Sequence, residues 1–236
     1  MNLLSLRESL PNAATNLLNK FIQPAAKCRN RVLKIVQRLK PSSFEIKVKG
    51  EHRRKLRCTG NALQMSTVLA SSFCGDGTKI CTFLAGACTY GPGLIVSPEL
   101  EEHFRSHSDI EKNASKMAVY KKAHKFYSEL GKTCLKFNLT IDLFAFCLNQ
   151  YGLGEMADLI QESGGIVINH EEFQDKEYSL SVEQYMSRLF THENVWNARV
   201  SVICSEEMGL HGTLGSLKLI NKDKELEKQD NQMGQS

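Results

Sequence analysis

The segment from Ile141 to Ile168, IDLFAFCLNQYGLGEMADLIQESGGIVI, constrains the fold more than any other stretch of the chain. Ile141-Asp142-Leu143-Phe144-Ala145-Phe146-Cys147 is an apolar run of the length and composition of a strand buried on both faces. A loop over Leu148-Asn149-Gln150-Tyr151-Gly152 follows. A short helix from about Leu153 to Glu162 comes next, with Met156, Leu159 and Ile160 on one face. Ser163-Gly164-Gly165 ends it, because glycine adopts the left-handed conformation that closes a helix. Ile166-Val167-Ile168 then opens another strand. Strand, loop, helix, double glycine and strand make one crossover of a parallel sheet.

Similar units flank it. Lys79 to Ala85, KICTFLA, reads as a second buried strand, preceded by the turn Gly75-Asp76-Gly77. Before it, a helix is predicted over Gly60 to about Phe73, with Thr59 as its cap and Ala62, Leu63, Val68, Leu69 and Phe73 supplying core contacts. After it, Gly86 to Pro98 is a loop. A helix from about Ser115 to Leu130 follows, with Met117, Tyr120, Phe126 and Tyr127 as packing residues. A further helix is expected near Ser181 to Phe190, capped from Ser179-Leu180-Ser181. Alternating strands and helices predict a doubly wound, mostly parallel α/β sheet. Trp196–Cys204 and Thr213–Ile220 read as strands of a different element, and the charged final 16 residues read as disordered.

The chain has 236 residues and a net charge of +4, but the charge is unevenly placed. Lys20 to Arg57 holds 13 basic residues against two acids, whereas the rest is net acidic. Much of the basic run lies on a predicted amphipathic helix, Leu17 to Leu39. Val32, Leu33, Ile35, Val36 and Leu39 form its apolar face, Pro24 kinks it or marks an earlier start, and Pro41 stops it. Phe44 to Lys49 alternates as a short strand, and Glu51 to Arg57 is a basic loop. Such a charge run suits an anionic membrane, a nucleic acid or an acidic partner, and equally a solvated helix face. Aromatic residues are not interleaved with it, which argues against stacking on single-stranded nucleic acid. For an anionic membrane, the candidates are Lys27, Arg31, Lys34, Arg38, Lys47, Lys49, Arg53 and Arg54. No apolar run approaches the roughly 20 residues of a membrane span, and the first residues do not read as a signal peptide.

Chemistry is sparse. GxxxxGK[ST] and GxGxxG are both absent, so a nucleotide site has no support. Eight cysteines contain no CxxC pair, which points to reduced, mostly buried thiols rather than zinc or disulfides. A von Willebrand A-like domain shares the alternation and usually holds a divalent metal. Thr59 suits the threonine of such a site, but Leu84-Ala85-Gly86 ends its strand without a carboxylate and no DxSxS occurs. Cys88 and Cys147 follow strands, with His103, His107 and His124 between them in sequence, so a cysteine hydrolase is one conceivable reading. Arg105-Ser106-His107-Ser108-Asp109 reads as a helix start with Asp109 as its cap.

Several words carry a resemblance. Arg57-Cys58-Thr59-Gly60-Asn61-Ala62-Leu63, the loop holding Thr89 and Gly91-Pro92-Gly93, and Arg105-Ser106-His107-x-Asp109-Ile110-x-Lys112 occur in order. Leu148-Asn149-Gln150-x-Gly152-Leu153-x-Glu155-Met156, Gly164-Gly165 and Arg188-Leu189-Phe190 continue the series, with Phe21-Ile22-x-Pro24 and Cys28 upstream. From about Phe21 to Leu219 the chain resembles the Sec-twenty-three family, the inner-shell subunit of the COPII vesicle coat. Asn149 departs from the family's usual aspartate. Basic residues around Lys47 to Lys55 replace its acidic, tryptophan-proline-bearing linker.

The resemblance implies a von Willebrand A-like trunk, incomplete at its N-terminal side, followed by the start of a β-sandwich. The expected layout is an extension over residues 1–19, a partial trunk over 20–193, the start of the sandwich over 194–220 and a charged tail over 221–236. It implies a coat subunit in transport from endoplasmic reticulum to Golgi, cytoplasmic and peripheral on the membrane. Its partners would be a cargo-adaptor subunit and a small GTPase. The family stimulates hydrolysis by that GTPase with an arginine from a C-terminal region that this chain does not match, and it carries a structural zinc in a finger that is likewise unmatched. On this reading the chain is not itself an enzyme and needs no cofactor. The alternative is a free-standing basic adaptor that binds acidic lipid or protein.

Overall fold

The structure, a computed structural model, describes residues 24–40, 53–74, 77–112, 114–171 and 176–191, together with short stretches between 198 and 217. Among the described residues nine elements follow in order: α1 (Ala25–Arg38), α2 (Thr59–Phe73), β1 (Lys79–Leu84), α3 (His107–Lys112), α4 (Ala114–Lys136), β2 (Thr140–Phe146), α5 (Leu153–Ser163), β3 (Val167–His170) and α6 (Lys176–Thr191). The strands form one parallel sheet in the order β1-β2-β3. Lys79 stands beside Thr140, and Leu143 beside Val167. The crossover read from residues 141–168 is therefore present, with Gly164 left-handed at φ 68 where α5 ends.

Side chains alternate cleanly about the sheet, as a pleated strand requires. Ile80, Ile141, Leu143, Ala145 and Val167 join the larger core, with Leu63 of α2, Tyr127 and Leu130 of α4, and Met156 and Leu159 of α5. Cys81, Phe144, Phe146 and Ile168 face the other way and pack under α6 through Tyr178, Val182 and Tyr185. The helices that follow Thr59 and Ser115 thus share one face of the sheet, and α6 covers the other. β2 is buried along its whole length, as expected for the central strand.

Three helices differ from expectation. α2 begins at Thr59 itself, with Cys58 in the cap position and no side-chain cap. The Thr89 and Tyr90 N–H groups, donating to the Arg57 carbonyl, turn the chain there instead. Its buried face is Gly60, Leu63, Thr67, Ala70 and Ser71, whereas Ala62 and Leu69 are exposed. Small residues let α2 lie close to its neighbours, and a Cβ on Gly60 would come within 2.0 Å of the Pro92 carbonyl oxygen. α4 runs six residues past Leu130. Gly131 does not stop it but lets it cross α5, where a Cβ would stand 3.0 Å from Leu159 Cα. α6 starts at Lys176, so Ser179 and Ser181 lie inside it.

Pro24 directly precedes α1 and therefore starts the described helix rather than kinking it. Residues 17–23, the strand expected over Phe44–Lys49, Gly75-Asp76 and the final 16 residues fall outside the described residues. The described positions within Trp196–Cys204 and Thr213–Ile220 carry no strand. Of the cysteines, Cys88 and Cys134 are buried and Cys58 and Cys204 are exposed, so the thiols are less buried than expected.

Candidate functional site

The carboxyl ends of the strands, where open α/β sheets bind ligands, are filled by loops that lock one another in place. Thr89 Oγ1 donates to the Lys55 carbonyl at 2.8 Å and accepts from the Arg57 N–H at 2.9 Å. The Cys88 thiol donates toward the carbonyls of Arg57 and Tyr90, each at 3.4 Å. Tyr127 Oη donates to the Gly93 carbonyl at 3.0 Å, and burial pushes its hydroxyl far above the ordinary tyrosine range. Gly93 is left-handed at φ 72, and a Cβ there would strike Tyr127. Gly152, at φ 90, meets Ile95 just as closely. Arg105 Nη2 donates to Glu155 Oε1 at 2.6 Å, with both side chains buried. The separated sequence words are thus stitched into one knot.

This arrangement does not support nucleophilic chemistry. Burial pushes the Cys147 thiol up, although Arg57 draws it back, whereas an attacking thiolate needs a lowered value. Cys88 is enclosed by carbonyls. His124 stands against Asp158 at 3.5 Å between α4 and α5, and His103 is exposed. Among the described residues no three of His, Cys, Asp and Glu are grouped as a metal site. Ser106 and Asp109 form a reciprocal cap. The Ser106 N–H donates to Asp109 Oδ2 at 3.0 Å, and the Asp109 N–H donates to Ser106 Oγ at 3.1 Å. Ser106 is therefore the cap, and Asp109 its partner three residues on.

Sequence reasoning missed two buried carboxylates. One is Glu155. The other is Asp142, which is 0% exposed in the middle of β2. Asp142 accepts from the Ile166 N–H at 2.8 Å, from Lys79 Nζ at 3.3 Å and from Tyr185 Oη. It ties β1, β3 and α6 to the central strand. The signal was a lone acid within an apolar run.

The basic candidates divide. α1 places Lys27, Arg31, Lys34 and Arg38 four, three and four residues apart, which sets them on one stripe of the helix. Their side chains are exposed. The adjoining apolar residues Val32, Leu33, Ile35, Val36 and Leu39 are 49% to 72% exposed, so the helix presents both faces outward. Arg54 is engaged internally. It donates to the carbonyls of Ser97, Glu99 and Glu102, and its guanidinium lies 4.9 Å over the Phe104 ring. Arg53 is half-buried in an isolated antiparallel bridge with Glu99. Lys47 and Lys49 lie outside the described residues.

Residues 4–190 match the Sec23/Sec24 trunk domain. The chain belongs to that family. The small parallel sheet with helices on both faces is an incomplete von Willebrand A-like trunk. Trunk membership places the chain among COPII vesicle-coat proteins. No helix among the described residues is long and apolar enough to cross a membrane.

Proposed function

We propose that this chain is a COPII coat component in transport from endoplasmic reticulum to Golgi. It acts as a scaffold without catalysis of its own, contacts the coat's cargo-adaptor subunit and small GTPase, and lies peripherally on anionic membrane from the cytoplasmic side. The observation that carries the membrane part is the stripe of Lys27, Arg31, Lys34 and Arg38 beside an exposed apolar stripe on α1. Each basic residue near an anionic bilayer contributes about 1 kcal/mol. Four together supply roughly 4 kcal/mol, which alone corresponds to about millimolar binding. Burial of Val32, Ile35, Val36 and Leu39 in the interface adds the remainder, since a fully buried Val or Leu is worth about 1.5–3 kcal/mol. Charge recruits the helix and apolar insertion holds it.

Reconstitution on anionic liposomes tests the coat reading. The chain should co-sediment, and more of it should do so when the adaptor subunit and the GTP-bound GTPase are added. No increase over the chain alone would remove those partners from the account.

A further inference from the structure

From Arg29 onward α1 buries no face. Every residue from Arg29 to Leu39 is exposed, on all sides of the helix, and none of them joins either core cluster. A helix of 14 residues is marginal in water by itself, and in a folded protein it is held by packing. The charge on α1 is of one sign. Lys27, Arg29, Arg31, Lys34 and Arg38 lie on it, and it carries no Asp or Glu.

The apolar residues do not form a single face. At about 100° per residue, Val32, Ile35 and Val36, with Leu39 just beyond the last turn, share an arc of roughly 100°. Leu33 lies about 120° from the middle of that arc, and it is 49% exposed. Arg29 stands on the Leu33 side of the arc and Arg31 on the opposite side. A flat membrane that takes in the arc leaves Leu33 in water. A groove that closes round the helix takes in both, and an acidic rim on its two walls meets the cations on both flanks.

We propose that α1 is a docking helix for an acidic protein of the calcium-sensor type, whose methionine-rich groove opens on binding calcium and encloses a basic amphipathic helix. The groove and the membrane claim the same apolar arc, so the sensor would lift the chain off the bilayer. That last step rests on the membrane attachment proposed above, whereas docking in solution does not. A second copy of the chain fits less well, because it would set two wholly basic helices together with no acid between them.

The test uses the full chain, with calcium-loaded calmodulin as the probe and titration calorimetry in the absence of lipid. A one-to-one complex of micromolar affinity or tighter is expected, and chelating the calcium should dissolve it. Leu33→Glu should weaken the complex roughly tenfold or more, while its binding to anionic liposomes changes by less than about twofold. Leu33 lies outside both core clusters, so this variant should keep the urea midpoint of the unaltered chain. Adding the calcium-loaded probe to chain bound on anionic liposomes should release it. Three results would overturn the proposal: no complex in solution, a complex indifferent to calcium, and Leu33→Glu binding the probe as well as the unaltered chain. A chain that binds the probe but no liposomes would support the docking helix and remove the membrane attachment.

Discussion

The buried Arg105 guanidinium and the Glu155 carboxylate, 50 residues apart in sequence, meet at 2.6 Å and join the segment that leads into α3 to the first turn of α5. Among the described residues Arg105 Nε has no partner, and Glu155 compensates the desolvated cation. Removing either partner by Arg105→Ala or Glu155→Ala should cost about 3–5 kcal/mol in urea denaturation. The double replacement Arg105→Met with Glu155→Leu should recover most of that loss, because it leaves no buried charge alone. A double variant as unstable as the worse single variant would mean that the pair is needed for packing rather than for charge balance.

Asp142 is the more demanding carboxylate, being fully enclosed with Lys79, Tyr185 and the Ile166 N–H around it. Asp142→Ala should destabilise the chain by about 3–5 kcal/mol. Tyr185→Phe, which removes the hydrogen bond to the charged Asp142 and a contact with the Cys81 thiol, should cost about 1.5–3 kcal/mol. Burial and then Asp142 push the Tyr185 hydroxyl far above the usual range, so no phenolate should appear spectroscopically for Tyr185 in the folded chain near pH 10. Appearance of that phenolate would place Tyr185 away from Asp142.

Two glycines separate steric from conformational cost. Gly60→Ala drives a Cβ to 2.0 Å from the Pro92 carbonyl oxygen, and neither backbone can yield cheaply. A loss of about 3 kcal/mol or more is expected. Gly164 has open space around it and only its positive φ to protect, so Gly164→Ala should cost about 1–2 kcal/mol. Thermal denaturation ranks the two, and the reverse order would contradict the close approach of α2 to the 91–93 loop.

Hydrogen bonds from Ser106, the backbone N–H first, and the nearby Lys116 hold the Asp109 carboxyl at about 2, below the ordinary 3.8. A depressed value stabilises the folded chain above the unfolded value, and this contribution is lost as pH falls through the folded one. The cap should therefore be fully present above pH 4 and fail as pH drops toward about 2. Carboxyl titration by NMR should show Ser106→Ala moving the Asp109 midpoint upward. An unmoved midpoint would exclude the reciprocal cap.

The sheet was legible in the sequence because its strands are apolar runs bounded by turn residues, and Gly164-Gly165 marks the end of α5 plainly. The faces of the helices were not. α2 buries Gly60, Thr67, Ala70 and Ser71, small or polar residues that hydropathy counts against burial, because close packing and not apolar area fixes its orientation. Gly131, just past the expected helix end at Leu130, is where α4 crosses α5. The motif words were readable singly, but their mutual contacts, such as Thr89 with Arg57, join residues some thirty positions apart that no local pattern links. At α1, composition showed a basic run, and helical geometry was needed to align four of its members and to separate them from Arg54.

Membrane attachment through α1 is tested most directly by co-sedimentation of the chain with neutral and anionic liposomes at low and high salt. The unaltered chain should bind anionic vesicles only, and raising the salt should release much of it, because the attraction acts over about a Debye length. Replacing Lys27, Arg31, Lys34 and Arg38 with glutamine should abolish binding, and Ile35→Glu with Val36→Glu should do so with the charge stripe intact. Arg54→Gln should not reduce binding while the chain remains folded. Equal binding to both lipids, or anionic binding that survives loss of the four-residue stripe, would contradict the account.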